Sequence, residues 1–451
     1  MRFYVYAATL ISAALLTTIS LAQPATCPNP PVVDISTAQT PADVCVPAGF
    51  GGNPIAFFDD YSWRAFIAMV WPASTAQRGA PDSGAVLGGS GPRVFETFKS
   101  DWEVFQPNGG APSDWNSFAG VNPCGAQTVG FDDLQLASFN RSGNLGQAGA
   151  GNLVGPLVAQ NTTYTRYLTG FNQIEFGKIA ADKLYLQANL QNVTFANGAV
   201  DVKSAWVDMK NLPRPERYYT RSALVLNPAD GTCATTTVGL VGLHIVQKTL
   251  TRPQWIWSSF EHVDTVPPAK PGSPGTFVFN DGSPTAMPAE NPFPLDPLTL
   301  PTPAPFNVQR IKPIHPSTQA TNLAYQQALA NAGSIWRFYE LVMTQWPLRP
   351  NMPQLPGTIA NTFPGSGGGS DATVFANTTM ETFDQERVRT GCMACHTLTK
   401  QDSDFVWSLA VNAFAPPTPS ISVTGGRAGR KSVEELKRLL QSTHPARRKR
   451  K

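Results

Sequence analysis

The stretch Gly391-Cys392-Met393-Ala394-Cys395-His396 is where the residue types and spacing of this 451-residue chain could do chemistry. Two thiols two residues apart, followed at once by an imidazole, form the attachment pattern of a c-type haem, in which the thiols add across the porphyrin vinyl groups. A short turn sets both sulfurs along one porphyrin edge and leaves the imidazole under the iron. The spacing therefore predicts one covalent haem c, with Cys392 and Cys395 as its thioether positions and His396 as the proximal iron ligand. A zinc site would need about four Cys or His ligands, and no second Cys-x-x-Cys pair occurs in the sequence. A thioredoxin-like dithiol normally follows a strand in a βαβ unit, whereas a helix-like run precedes Cys392.

This motif resembles that of the c-type cytochromes. The resemblance covers six residues, so it implies a cofactor more than a whole-chain fold. Simple class I members of that family carry the motif near the start of the domain and a ligating Met well downstream. Here 55 residues follow the motif, they contain no Met, and His444 is their only His. Four-helix cytochromes c′ do place the motif near the C-terminus and often leave the iron open, although a strand-rich middle does not suit that bundle. The distal ligand is expected from Met343, His262 or His244, with Met352, Met380 and His315 behind them, or the iron is open. The runs beginning at Gly242 and Trp255 are also similar to stretches in poorly characterised secreted bacterial proteins that carry a cytochrome c motif.

Met1-Arg2, an apolar run to about Leu21 and the small residues Ser20-Leu21-Ala22 read as a secretory signal peptide over residues 1–22. Export predicts a periplasmic or secreted protein with no stable membrane span after cleavage. It also fits the resemblance, since family members receive their haem on the exported side of a bacterial membrane. In an oxidising compartment the remaining Cys27, Cys45, Cys124 and Cys233 predict two disulfides in one of three connectivities, of which Cys27–Cys45 with Cys124–Cys233 is the most local.

Stepping outward from the motif, the sequence predicts an α+β protein: a strand-rich antiparallel N-terminal and middle region, 23–266, and a mostly helical haem region, 318–424. Between them, 267–317 is a linker or surface arm, because 14 prolines from Pro267 to Pro316 forbid a continuing sheet or helix. A short helix is expected over Tyr61 to Val70, capped by Asp59 or Asp60, a second around Phe95 to Phe105, and a longer one from Tyr167 to Gln187. Four strands are expected: Val202 to Met209, Tyr218 to Leu226, Val238 to Val246 and Trp255 to Val263. A long helix is read from Thr318 to Trp346, on apolar residues recurring at three and four. Another runs from a Thr378-x-x-Glu381 capping box to about Thr390, and one more over Asp404 to Ala413, with Asp402-x-Asp404 read as a cap. Whether His244 and His262 share a face depends on strand register.

Charged residues are only 14% of the chain while Pro and Gly number 41 and 37, which describes a loop-rich extracytoplasmic protein. The tail 425–451 is the exception, holding ten basic residues against Glu434 and Glu435 and leaving a mildly acidic body. Such asymmetry could steer a redox partner protein; nucleic acid is not an expected partner of an exported haem protein. The chain is thus read as an exported monohaem cytochrome acting in electron transfer. The alternatives are a haem enzyme or gas sensor with an open iron, and a binding module with an accessory haem. No Gly-x-Ser-x-Gly in a strand-to-helix context and no His-Glu-x-x-His suggests a hydrolase.

Overall fold

The structure is a computed structural model that describes residues 27–125, 129–139, 144–148, 156–268, 275–283, 305, 307–311, 313–347, 362–363, 376–385 and 391–416. The expected signal peptide, the basic tail, Met352, His444 and residues 386–390 lie outside them.

The chain begins with a loop tied by the Cys27–Cys45 disulfide and then enters α1 (Ile55–Met69). Asn53 Oδ1 accepts from the Ile55 amide at the entry. Asp59 and Asp60 lie inside this helix and do not cap it. Trp63, Phe66 and Ile67 of α1 are fully buried, as expected for an apolar run packed on several sides. Further along come β1 (Lys99–Ser100), α2 (Asp101–Val104), β2 (Leu134–Leu136), β3 (Arg166–Phe171) and α3 (Gln173–Ala181). The helix expected over Tyr167 to Gln187 is thus a strand followed by a shorter helix, which starts where the Asn172 side chain accepts from the Glu175 amide.

The four expected strands are present as β4 (Val200–Asp208), β5 (Thr220–Leu226), β6 (Cys233–Gln247) and β7 (Ile256–His262). Each pairs antiparallel with its neighbour in the order β4, β6, β7, while β5 pairs with the first half of β6. The Cys124–Cys233 disulfide anchors the start of β6. In the Pro-rich region, Val278, Phe279 and Val308 are buried, and the Val308 amide donates to Phe279 O at 2.7 Å, so the described parts lie against the body.

The expectation of an α+β chain with a mostly helical C-terminal haem region is overturned. The long helix read over Thr318 to Trp346 ends early: α4 is Pro316–Asn331, and β8 (Tyr339–Pro347) follows it. Gly333 takes φ +65° just past the helix, a left-handed position suited to glycine, and Ser334 caps a separate short turn. Beyond that stop, Tyr-Glu-Leu-Val-Met-Thr-Gln-Trp is rich in β-forming residues, and β8 pairs antiparallel with β7. With β9 (Thr362–Phe363), the described residues form a nine-stranded curled sheet, mixed because β2 runs parallel to β5. Downstream, α5 (Cys392–His396), α6 (Lys400–Ser403) and α7 (Trp407–Asn412) are all short.

Strand alternation assigns the faces of this sheet. Ser258, Phe260 and Thr344 face α1: Ser62 Oγ lies 2.7 Å from both Ser258 Oγ and Thr344 Oγ1, and Trp63 packs edge-on to Phe260 with ring centroids 5.1 Å apart. Trp257, Ser259 and Glu261 point the other way and meet the C-terminal segments. His244 pairs opposite Ser259 and so shares its face; His262 is on the α1 side.

Burial pushes the Asp59 carboxyl up to about 7, against hydrogen bonds from Thr318 and Thr344 that favour its ionised form. An unfolded Asp titrates at about 3.9. The stability carried by protonated Asp59 is therefore full below about pH 4 and is lost as pH rises toward 7, at up to ~1.4 kcal/mol per pH unit. Asp59→Asn should flatten this part of the stability profile in urea unfolding between pH 4 and 7. Parallel profiles for variant and wild type would contradict the assignment.

Candidate cofactor site

The motif lies on α5, a five-residue helix. Positions 392, 395 and 396 are three and four residues apart, which brings them to one side of a helical turn. Gly391 has φ +154°, a backbone conformation that other residues rarely adopt, so this entry suits glycine. Gln345 of β8 then accepts from the Met393 amide at 2.8 Å, fixing the start of α5 to the sheet. Met393 is fully buried as an apolar plug beneath the helix, while Cys392 and His396 keep partial exposure. A cofactor joined at this point would therefore be reached from the surface.

His396 is held from two directions. Its ring packs on Trp257 of β7 at a centroid distance of 4.4 Å, and its Nδ1 lies 2.7 Å from Phe405 O. A carbonyl can only accept, so Nδ1 carries the proton and donates, and Nε2 keeps its lone pair. This tautomer is the one a histidine presents when Nε2 binds a metal and a backbone carbonyl orients the ring. Loss of water around the ring pushes the imidazole down to about 3, with Lys203 and His244 adding repulsion, so it is neutral at physiological pH. A neutral imidazole is what iron requires.

The carbonyl that orients His396 sits in an unusual turn. Asp404 and Phe405 adopt φ +50° and +74°, two successive left-handed residues, each of which costs on the order of 1–2 kcal/mol. Three contacts hold the turn: buried Lys248 is salt-bridged to the Asp404 carboxylate, that carboxylate accepts from the Phe195 amide at 2.8 Å, and Trp255 Nε1 donates to Asp404 O at 3.0 Å. Asp404 is thus a strut of this turn and not the helix cap read from the sequence. Strain kept in place by so many contacts, next to a histidine of fixed tautomer, is the pattern expected of a functional site.

The other residues singled out by the sequence take different places. His262 is fully buried, with Nε2 donating to Arg217 O at 3.0 Å, Nδ1 accepting from the Asp264 amide at 3.1 Å and its face stacked on Tyr218. Both nitrogens are engaged, so it is a structural residue. His315 caps α4 through Nδ1. Thr378 does not open a helix: its amide and hydroxyl both donate to Glu261 Oε2. Met380 is buried over Gly242, where a Cβ would collide with Thr379 Oγ1. Met343 and His244 share the face that carries the motif. Register places Lys203, His244, Ser259 and Met343 in one row across β4, β6, β7 and β8, next to the row Asp201, Val246, Trp257 and Gln345 on which α5 rests.

Among the described residues no group of three or more His, Cys, Asp or Glu side chains is placed to hold a metal ion by itself. The residue types fit a haem, because two motif cysteine positions and an imidazole whose Nδ1 is already engaged share one helical turn, on which Cys392 and His396 are partly exposed. Comparison of the chain with protein-family models, curated proteins and solved structures found no match in any of the three.

Removing one partner of the Lys248–Asp404 pair leaves a buried charge uncompensated. Asp404→Ala should destabilise the fold by about 3–5 kcal/mol in urea unfolding; a loss below about 1 kcal/mol would mean that the pair does not hold the turn.

Proposed function

We propose that this chain is an exported c-type cytochrome in which one haem, joined through thioether bonds to Cys392 and Cys395, has His396 as its proximal iron ligand and serves electron transfer. The observation that carries the reading is the hydrogen bond from His396 Nδ1 to Phe405 O, which leaves Nε2 as the ligating atom on the helix that bears the motif cysteines. When bound, the haem supplies a one-electron Fe(III)/Fe(II) couple tuned by its ligands and its exposure to water. The protein's part is to orient His396, to keep it neutral, and to bury the underside of α5 with Met393 and Trp257. The partial exposure of Cys392 and His396 supports an approachable haem edge, as electron exchange with a partner protein requires.

Periplasmic or secreted location belongs to the same reading. It is supported by the signal-like first 22 residues and by two disulfides, Cys27–Cys45 and Cys124–Cys233, which persist in oxidising compartments. The strongly basic tail and mildly acidic body suit long-range steering of a charged redox protein, so association should slow as salt is raised.

Replacing Cys392 or Cys395 by Ala, with the variants exported from a strain competent in haem attachment, should abolish the normal two-thioether product. The pyridine haemochrome spectrum reads this directly. A band position identical to wild type in both variants would overturn the proposed attachment.

A further inference from the structure

We infer that His244 of β6 supplies the second axial ligand of the iron, so that the haem is held between two imidazoles. This rests on the haem reading above and adds the identity of its distal partner.

Two observations converge on His244. First, Nδ1 of His396 is taken by Phe405 O, so Nε2 is the ring nitrogen left to bind, and the ring packs on Trp257 of this sheet face. The next row of the same face contains His244, two positions along β6 from Val246, the partner of Trp257. Second, His244 Nε2 is buried and makes no hydrogen bond, although Glu381 Oε1 stands 3.4 Å away. Iron coordination would satisfy this nitrogen.

Met343 is the competitor, since it stands in the same row two strands away. Its sulfur is buried, where a thioether packs at little desolvation cost, so no unmet bonding need draws it to a metal. Of the other candidates within the described residues, His262 has both ring nitrogens engaged by the backbone, and His315 has Nδ1 accepting from the Ser317 amide at the start of α4.

The test uses the full-length exported protein and reads spin state, not activity. Wild type should be low-spin in both oxidation states and should not bind carbon monoxide. His244→Gly should retain covalent haem, become high-spin, bind carbon monoxide, and return to the low-spin spectrum when imidazole is added. Met343→Leu should leave the low-spin spectrum unchanged. A His244→Gly protein that stays low-spin, or a Met343→Leu protein that turns high-spin, overturns the assignment, as does a wild type that binds carbon monoxide at once. Those results leave covalent attachment intact in the haemochrome assay; absence of covalent haem from wild type overturns the underlying reading as well.

Discussion

The buried contact between Lys248 and Asp404 is the constraint on which the candidate site depends. It closes residues at the end of β6 onto a loop more than 150 positions later, and it holds that loop in a backbone conformation that bulky side chains avoid. The turn presents Phe405 O to His396, and that carbonyl selects the tautomer whose Nε2 can bind a metal. Each step is short, and each places the next group within hydrogen-bond distance. The turn is held further by Trp255, just before β7, and by the amide of Phe195, ahead of β4.

The sheet accounts for how a small motif is served by so long a chain. One face packs on α1 and α4 through Trp63, Phe66 and Tyr325; the other receives the segments around Asn377 and α5. Since β8 joins β7, the residues after the Pro-rich region complete the same sheet that the middle of the chain begins. Gln345 and Trp257, neighbours across that pairing, both touch the motif. The strand-rich body is therefore the platform for the motif helix.

The motif itself was legible from sequence, because Cys-x-x-Cys-His is a local pattern; the haem chemistry it implies stands as the proposal. The four middle strands were legible for a similar reason: each is a run of β-branched and aromatic residues bounded by turn residues. The pairing of Cys124 with Cys233 could only be ranked as the most local choice. The stretch after Thr318 was misread because Leu329, Ala332, Trp336, Tyr339 and Met343 keep helical spacing across a real boundary, and Gly333 was the signal that separated α4 from β8. The supports of His396 were beyond sequence reading. Lys248, Trp257, Gln345 and Phe405 approach it only through strand register and a left-handed turn, and neither has a one-dimensional signature. Asp404 was visible as an acidic residue near a helix, and its partner 156 positions away was not.

The central claim is that the chain carries one haem on Cys392 and Cys395. Intact-mass measurement of the exported protein, unfolded in acid and free of reductant, tests it most directly. The account predicts a mature chain heavier by one haem, with the added mass on the peptide that contains both cysteines. A chain whose mass matches the polypeptide alone, with Cys392 and Cys395 reduced or joined to each other, would contradict it.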